Sequence, residues 1–267
     1  MVLACLASCF LWGSAFPCVK IGYELFAIDA ADVPSILVFA GTRFVIAGLM
    51  VAVGMSVAQR RAFVPERRDL PYVGALAVFQ TILQYLLFYV GLANCAGVTS
   101  SILEASNSFL CVLLAALAFR FESLTGRKVL GCVVGFAGVV LVNVAGEGGG
   151  FNFTLAGEGM VLASTVAAAT SSNLAKLFSR DHDPVLLSGW QFVLGGAALL
   201  ATGLALGGHM APADAANPLP ALILLAYLGF ISAGAYSLWS LALATNPVSR
   251  VAVFGFMNPV FGVLLSA

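Results

Sequence analysis

The chain keeps returning to apolar stretches of about twenty residues, the length an α-helix needs to cross the hydrocarbon core of a bilayer. Nine such stretches are read along it, at residues 2–23, 34–58, 71–93, 97–119, 128–146, 157–178, 185–206, 220–244 and 248–267. Pro34, Pro71, Pro184 and Pro220 open four of them. In the first helical turn a missing N–H costs nothing. Of the 267 residues 61% are hydrophobic and 9% charged, against about a quarter charged in a soluble domain. No water-soluble fold of this length hides so much apolar surface, so the lipid bilayer is the expected solvent. Residues 1–23 are read as a first helix and not a signal peptide, because no Lys or Arg precedes them and the same pattern recurs downstream.

Composition and motifs narrow the function. The net charge of zero points to no nucleic-acid partner. The six cysteines lie in apolar runs without a CxxC pair and read as small lipid-compatible hydrophobes. His182 and His209 fall in separate loops, so no metal site and no cofactor is expected. Without a P-loop, ATP does not drive the protein directly. Without a Ser/His/Asp or HExxH arrangement, and with loops this short, an enzyme is not expected.

The basic residues give an orientation. Loop 59–70 holds Arg60, Arg61, Arg67 and Arg68, loop 120–127 holds Arg120 and Arg127 beside Lys128, and Arg180 and Arg250 flank the next two alternate turns. The intervening loops hold acidic residues and no Lys or Arg. By the positive-inside rule the N-terminus is cytoplasmic and the chain is multi-pass in a cytoplasmic (inner) membrane. The triplet Asn152-Phe153-Thr154 on an outer loop would accept a glycan only in a secretory host.

Three blocks of the first half recur in the second. Leu6-Ala7-Ser8 and Lys20 match Leu162-Ala163-Ser164 and Lys176. Gly41, Phe44, Val45 and Gly48 match Gly189, Phe192, Val193 and Gly196. Shifting residues 85–116 by 151 gives nine identities in thirty-two, Tyr85/Tyr236 and Asn107/Asn258 among them. A five-helix repeat is odd, so its second copy enters the membrane upside down, as in secondary transporters. The expected domains are residues 1–146 and an inverted copy at 157–267. Helix five of the first copy would have its mate beyond Ala267, so about nine helices of a ten-helix fold are expected here.

A series of motifs now carries a resemblance. Phe10-Leu11-Trp12-Gly13-Ser14-Ala15-Phe16 with Lys20, Thr42-Arg43-Phe44, Tyr89-Val90-Gly91-Leu92, the stretch 99–114, the glycine-patterned stretch 131–143 and Asn258-Pro259-Val260-Phe261 follow one another in order. Together they resemble the EamA-like family of the drug/metabolite transporter superfamily. The resemblance implies ten helices in two inverted halves and a cavity lined by helices 1, 3, 4, 6, 8 and 9. It also implies export or uptake of amino acids, other metabolites or toxic compounds. Short-chain relatives dimerise, but an internally duplicated chain needs no second copy, so a monomer is expected and a dimer stays open. Glu104 departs from the family pattern, which has a neutral residue there.

Ionisable residues within the spans are costly, about 2.5–3.5 kcal/mol each at the bilayer centre. Lys20, Arg43 and Glu104 fall in the outer half and Lys176 near the inner interface. Glu104 is expected to pair with Lys20 or Arg43 and to serve as substrate or proton-coupling group. The plainer readings are a snorkelling Lys20 and an Arg43 bonded to backbone carbonyls. Trp12, Ser14, Lys20, Gln84, Tyr85, Glu104, Asn107, Tyr236, Trp239 and Asn258 make up the expected substrate-binding set. Gln80 and Gln84 share a face with Tyr85 and Tyr89 beside them, and interhelical hydrogen bonding is the competing account. Asn107 and Asn258 either bind substrate or bond across the pseudo-two-fold axis. Pro17 and Pro259 are expected gating kinks, Arg43 a structural or gating residue, and Gly131 with Gly135 a close-packing face on helix 5. The expected function is a secondary transporter of a small metabolite or drug-like compound working by alternating access, with proton coupling as one option. The alternatives are an uncoupled exchanger, a receptor or scaffold, and an intramembrane enzyme.

Overall fold

Each apolar stretch becomes a helix because, in lipid, a helix satisfies every backbone N–H and C=O within its own segment. The protein's computed structural model describes residues 1–94, 97–144 and 154–266. Among them there is no strand. The helices are α1 (Val2–Leu25), α2 (Val33–Gln59), α3 (Leu70–Leu92), α4 (Gly97–Leu117) and α5 (Gly126–Val144). The π turn Leu155–Gly159 runs into Met160–Phe178 to give α6. Then come α7 (Pro184–Ala205) and α8 (Leu219–Thr245). Finally Val248–Ala252, the tight turn Val253–Phe256 and Met257–Ser266 form α9. Five helices, α1, α2, α3, α7 and α8, are long and apolar enough by length and composition to cross a membrane. Asn152 and Phe153 of the glycan triplet, and Cys95, lie outside the described residues.

The starts follow from capping chemistry. Asp32 accepts from the Ser35 N–H at 3.2 Å with Pro34 in the first turn, and Asp183 accepts from Val185 and Leu186 with Pro184 in the first turn. These are the starts of α2 and α7, which the sequence pairs as repeat mates. The same pair makes the most extensive helix–helix contact. Small residues allow it, since lipid offers no hydrophobic drive between helices and close backbone packing must hold them. A Cβ on Gly41 would fall 2.7 Å from Gly196 O, and one on Gly48 2.5 Å from Gly189 O. Between these contacts Phe44 stacks on Phe192 with centroids 5.0 Å apart and planes 2° apart. Phe44 therefore meets its own repeat mate, while each of the two α2 glycines meets the mate of the other.

The bundle exposes apolar side chains to its surroundings and buries some polar ones among its apolar core. Leu3, Val57, Leu130, Val134 and Leu264 are exposed, whereas Gln80, Thr81, Asn173 and Gln191 are buried. Alternate loops collect at opposite ends. At the end opposite Leu25, His182 Nδ1 lies 2.6 Å from Asp69 Oδ1, Trp190 Nε1 donates to Phe63 O at 2.9 Å, and Ser249 N donates to Glu122 at 3.1 Å. At the Leu25 end, Ala213 N donates to Leu25 O at 2.8 Å and His209 N to Ser35 Oγ at 3.0 Å. Apart from Lys20 and Arg43, every lysine and arginine belongs to the first end. Lys176 there donates to Ala244 O at 3.0 Å, capping the last turn of α8.

Two details differ from expectation. Gly135 packs against the Phe256 ring, where a Cβ would lie 2.5 Å away, but Gly131 has nothing within 4 Å. The pair is not a single packing face, because α5 meets α9 over only part of its length. In α9 the departure from regular geometry is the tight turn Val253–Phe256, and Pro259 follows it as the third residue of Met257–Ser266. Pro17 does lie inside the continuous α1.

Candidate functional site

A cavity of about 60 Å³ opens among α1, α3, α4, α6, α8 and α9. These are the six helices the resemblance implies. Its wall carries Trp12, Gln84, Asn107, Tyr236, Trp239 and Asn258, six of the residues expected to touch substrate. The helices bring them together by different means. Within α3 a π turn spans Ala77–Leu83. The wider turn carries Gln80 and leads into Gln84, and both reach the wall. Such local π geometry is frequent where a helix serves a site. In α9 the tight turn brings Gly255 against α4, where a Cβ would meet Ser108 Oγ at 2.6 Å, and Asn258 follows. The Asn258 Oδ1 atom is buried and has no hydrogen-bond partner among the described residues. Asn107 Oδ1 has, among the described residues, only the Cys111 thiol at 3.5 Å. The two asparagines do not bond to each other, so both amides are left to the cavity.

Aromatic rings close the cavity on one side. Trp12 packs edge-on to Tyr236 at 4.9 Å and to Trp239 at 5.1 Å. The Tyr85 and Tyr236 hydroxyls lie 3.0 Å apart. Phe44 lies 4.5 Å from the Tyr85 ring, and Phe192 4.8 Å from that of Tyr236. Each such pair adds about 0.5–1.5 kcal/mol beyond its burial. The bridge is built from repeat mates, Tyr85 with Tyr236 over Phe44 with Phe192.

The remaining expected site residues lie elsewhere. Ser14 is turned back onto its own helix, donating to Leu11 O at 2.8 Å. Lys20 is exposed on α1 and away from the cavity. Glu104 forms no ion pair with Lys20 or Arg43, for no such contact occurs within 4.0 Å among the described residues. Equal depth in the membrane sets these charges at one height without bringing them into contact. Nor does Arg43 bond to a carbonyl among the described residues: it packs over Phe44 with its guanidinium carbon 4.4 Å from the ring centre.

The wall also holds Gln80, which shares a face with Gln84, and residues outside the expected set, among them Ser108, Ser171, Ser172 and Ser240. The run Thr170-Ser171-Ser172-Asn173 is a polar interruption in the middle of an apolar helix, and that was the available signal for α6.

Comparison with known proteins agrees with this architecture. The EamA-like transporter family matches residues 1–144 and 155–267. An uncharacterized transporter of Archaeoglobus fulgidus is 28% identical over 189 residues, 70% of this chain and 62% of its own length. The chain thus spans under two thirds of that relative. An uncharacterized transporter of Bacillus subtilis is 26% identical over 260 residues, 96% of this chain and 79% of its own. A solved crystal structure superposes with a TM-score of 0.77 at 19% identity, covering 98% of this chain and 85% of that one.

Proposed function

Since this chain belongs to the EamA-like transporter family and is a multi-pass membrane protein, we propose that it carries a small polar organic molecule across the cytoplasmic membrane through the central cavity. The observation that carries the reading is the cavity itself. In a bundle otherwise filled by apolar side chains, six helices turn amides, hydroxyls and indoles to one point. Two of those amides, Asn107 and Asn258, have little or nothing in the protein to bond. Unmet polar groups in lipid are costly, and a polar ligand relieves that cost. The family and the names of its relatives are those of transporters, not of enzymes.

The proposed mechanism is alternating access between the halves 1–146 and 157–267. At about 60 Å³ the cavity has room for a few waters and not for an amino acid, so the helices part to admit substrate. The tyrosine bridge closes one side, and its rupture opens the path toward the Leu25 end. The ten basic residues gathered at the other end make that end cytoplasmic by the positive-inside rule, with the N-terminus inside.

The test is uptake by the reconstituted protein in liposomes of labelled amino acids, organic cations and neutral metabolites, with and without an imposed pH gradient. Saturable uptake of at least one compound is expected. Gradient-driven accumulation supports proton coupling, and exchange indifferent to the gradient supports an exchanger. No uptake of any compound contradicts the reading.

A further inference from the structure

Arg43 is buried in the bundle with no anionic partner among the described residues. It lies ten residues into α2 from Val33, about 15 Å along the helix. The residue is only 6% exposed. Its Nε has no acceptor, and no carboxylate comes within 4.0 Å of it, among the described residues. An arginine at depth costs about 2.5–3.5 kcal/mol on insertion scales. The ring of Phe44 at 4.4 Å and that of Tyr85 at 6.0 Å offset part of that. Neither ring accepts the guanidinium's in-plane hydrogen bonds.

The surroundings suit an anion delivered from outside the protein. The Tyr85 ring lies 6.0 Å from the guanidinium, with the Tyr89 ring 6.0 Å from that ring and the Tyr236 hydroxyl 3.0 Å from the Tyr85 hydroxyl, and phenol hydroxyls donate as readily as they accept. Tyr236 also lines the cavity, so the cation adjoins the cavity across the Tyr85–Tyr236 bridge. The planar fork of an arginine matches a carboxylate with two parallel hydrogen bonds.

We propose that Arg43 is the binding site for a carboxylate group of the transported molecule, engaged when Tyr85 and Tyr236 part. This rests on the transport reading and narrows it to carboxylate-bearing substrates.

The test uses the full chain in lipid nanodiscs, read by thermal stability and tryptophan fluorescence. The probes are acetate, benzoate, L-alanine and L-phenylalanine, each beside its neutral amide or its decarboxylated amine. At least one carboxylate is expected to stabilise the wild type while its amide or amine does not. Arg43→Met is expected to weaken that binding at least about tenfold, the loss of roughly one charged hydrogen bond, and Arg43→Lys to weaken it less. Without ligand, Arg43→Met is expected to melt no lower than wild type, because it removes an unpaired buried charge and keeps apolar bulk. A structural pin would melt lower. The proposal is overturned if no carboxylate binds, if amide and carboxylate bind alike, or if Arg43→Met binds as wild type does. Should the methionine variant not accumulate, unchanged carboxylate binding in Arg43→Lys overturns it, and weakened binding supports it. Uptake of a carboxylate-free compound that persists in Arg43→Met refutes this proposal and leaves the transport reading standing. Absence of all uptake in wild type refutes the transport reading itself.

Discussion

The hydroxyls of Tyr85 and Tyr236 lie 3.0 Å apart, and these two residues occupy matching positions in the two halves of the chain. With Phe44 stacked on Phe192 beside them, they join α3 to α8 and α2 to α7 at the centre of the bundle. Tyr85→Phe and Tyr236→Phe each remove one side of the bond. Either change is expected to cost about 0.5–1.5 kcal/mol, and the double variant about as much as one alone. A double-mutant cycle on thermal unfolding checks this. Fully additive losses would mean that the two hydroxyls do not act on each other.

The glycines of α2 and α7 are the second point of attack. Gly41→Val places side-chain atoms against Leu200 N, already 2.4 Å from an ideal Cβ. Overpacking of about 1–3 kcal/mol or more is expected, seen as a lower melting temperature in detergent. Gly131→Ala, which meets open space, is expected to melt at or slightly above the wild type because alanine favours the helix. Equal behaviour of the two would contradict the packing described.

Acid sensitivity is expected at the basic end. Burial works against the Asp69 charge, but hydrogen bonds from His182 and the Glu66 N–H hold its carboxyl below the usual range. A depressed carboxyl lends stability that is complete above its unfolded pKa and is lost as pH falls through its folded one. Melting temperature is therefore expected to fall between pH 5 and pH 2 by this contribution, with approximate limits set by linkage. Asp69→Asn is expected to melt lower than wild type at pH 7 and to show a shallower acid decline. An equally steep decline in the variant would assign the effect to other groups, Glu122 with Lys128 and Ser249 first among them.

Sidedness is open to labelling. In a chain whose native cysteines are replaced, Ala62→Cys and Ala215→Cys put thiols in exposed loops at opposite ends. In intact cells an impermeant maleimide is expected to modify position 215 and spare position 62 until the membrane is breached. The reverse pattern would invert the proposed orientation.

Much of the fold is legible in the sequence because lipid leaves the chain so few options. The helix limits differ from the apolar stretches by about two residues, and Asp32 with Pro34 and Asp183 with Pro184 mark their starts. Repeat mates such as Tyr85/Tyr236 were visible as identities, though not as contacts. The candidate site was legible only in part. Counting residues along a helix gives depth, not the direction a side chain faces. Hence Lys20, Arg43 and Glu104 were grouped by height, although the structure turns Lys20 outward and leaves Arg43 and Glu104 unpaired with each other. Ser171 and Ser172 were passed over because small hydroxyls in a membrane helix often bond only to their own backbone, as Ser171 does to Ala168 O at 2.8 Å. The π turn of α3, which sets how Gln80 and Gln84 reach the cavity, has no sequence signature in Ala77–Leu83.

If the cavity is the path of a substrate, counterflow uptake in liposomes shows it most directly. Wild type, Gly131→Ala, Gln84→Leu and Asn258→Leu would be compared for any compound the wild type carries, each first shown to unfold at a similar temperature. Wild type and Gly131→Ala are predicted to carry the same saturable flux, while the two cavity variants lose it by about tenfold or more, the equivalent of one hydrogen bond to the substrate. Unaltered flux in both cavity variants would place the substrate path elsewhere in the bundle and contradict the account.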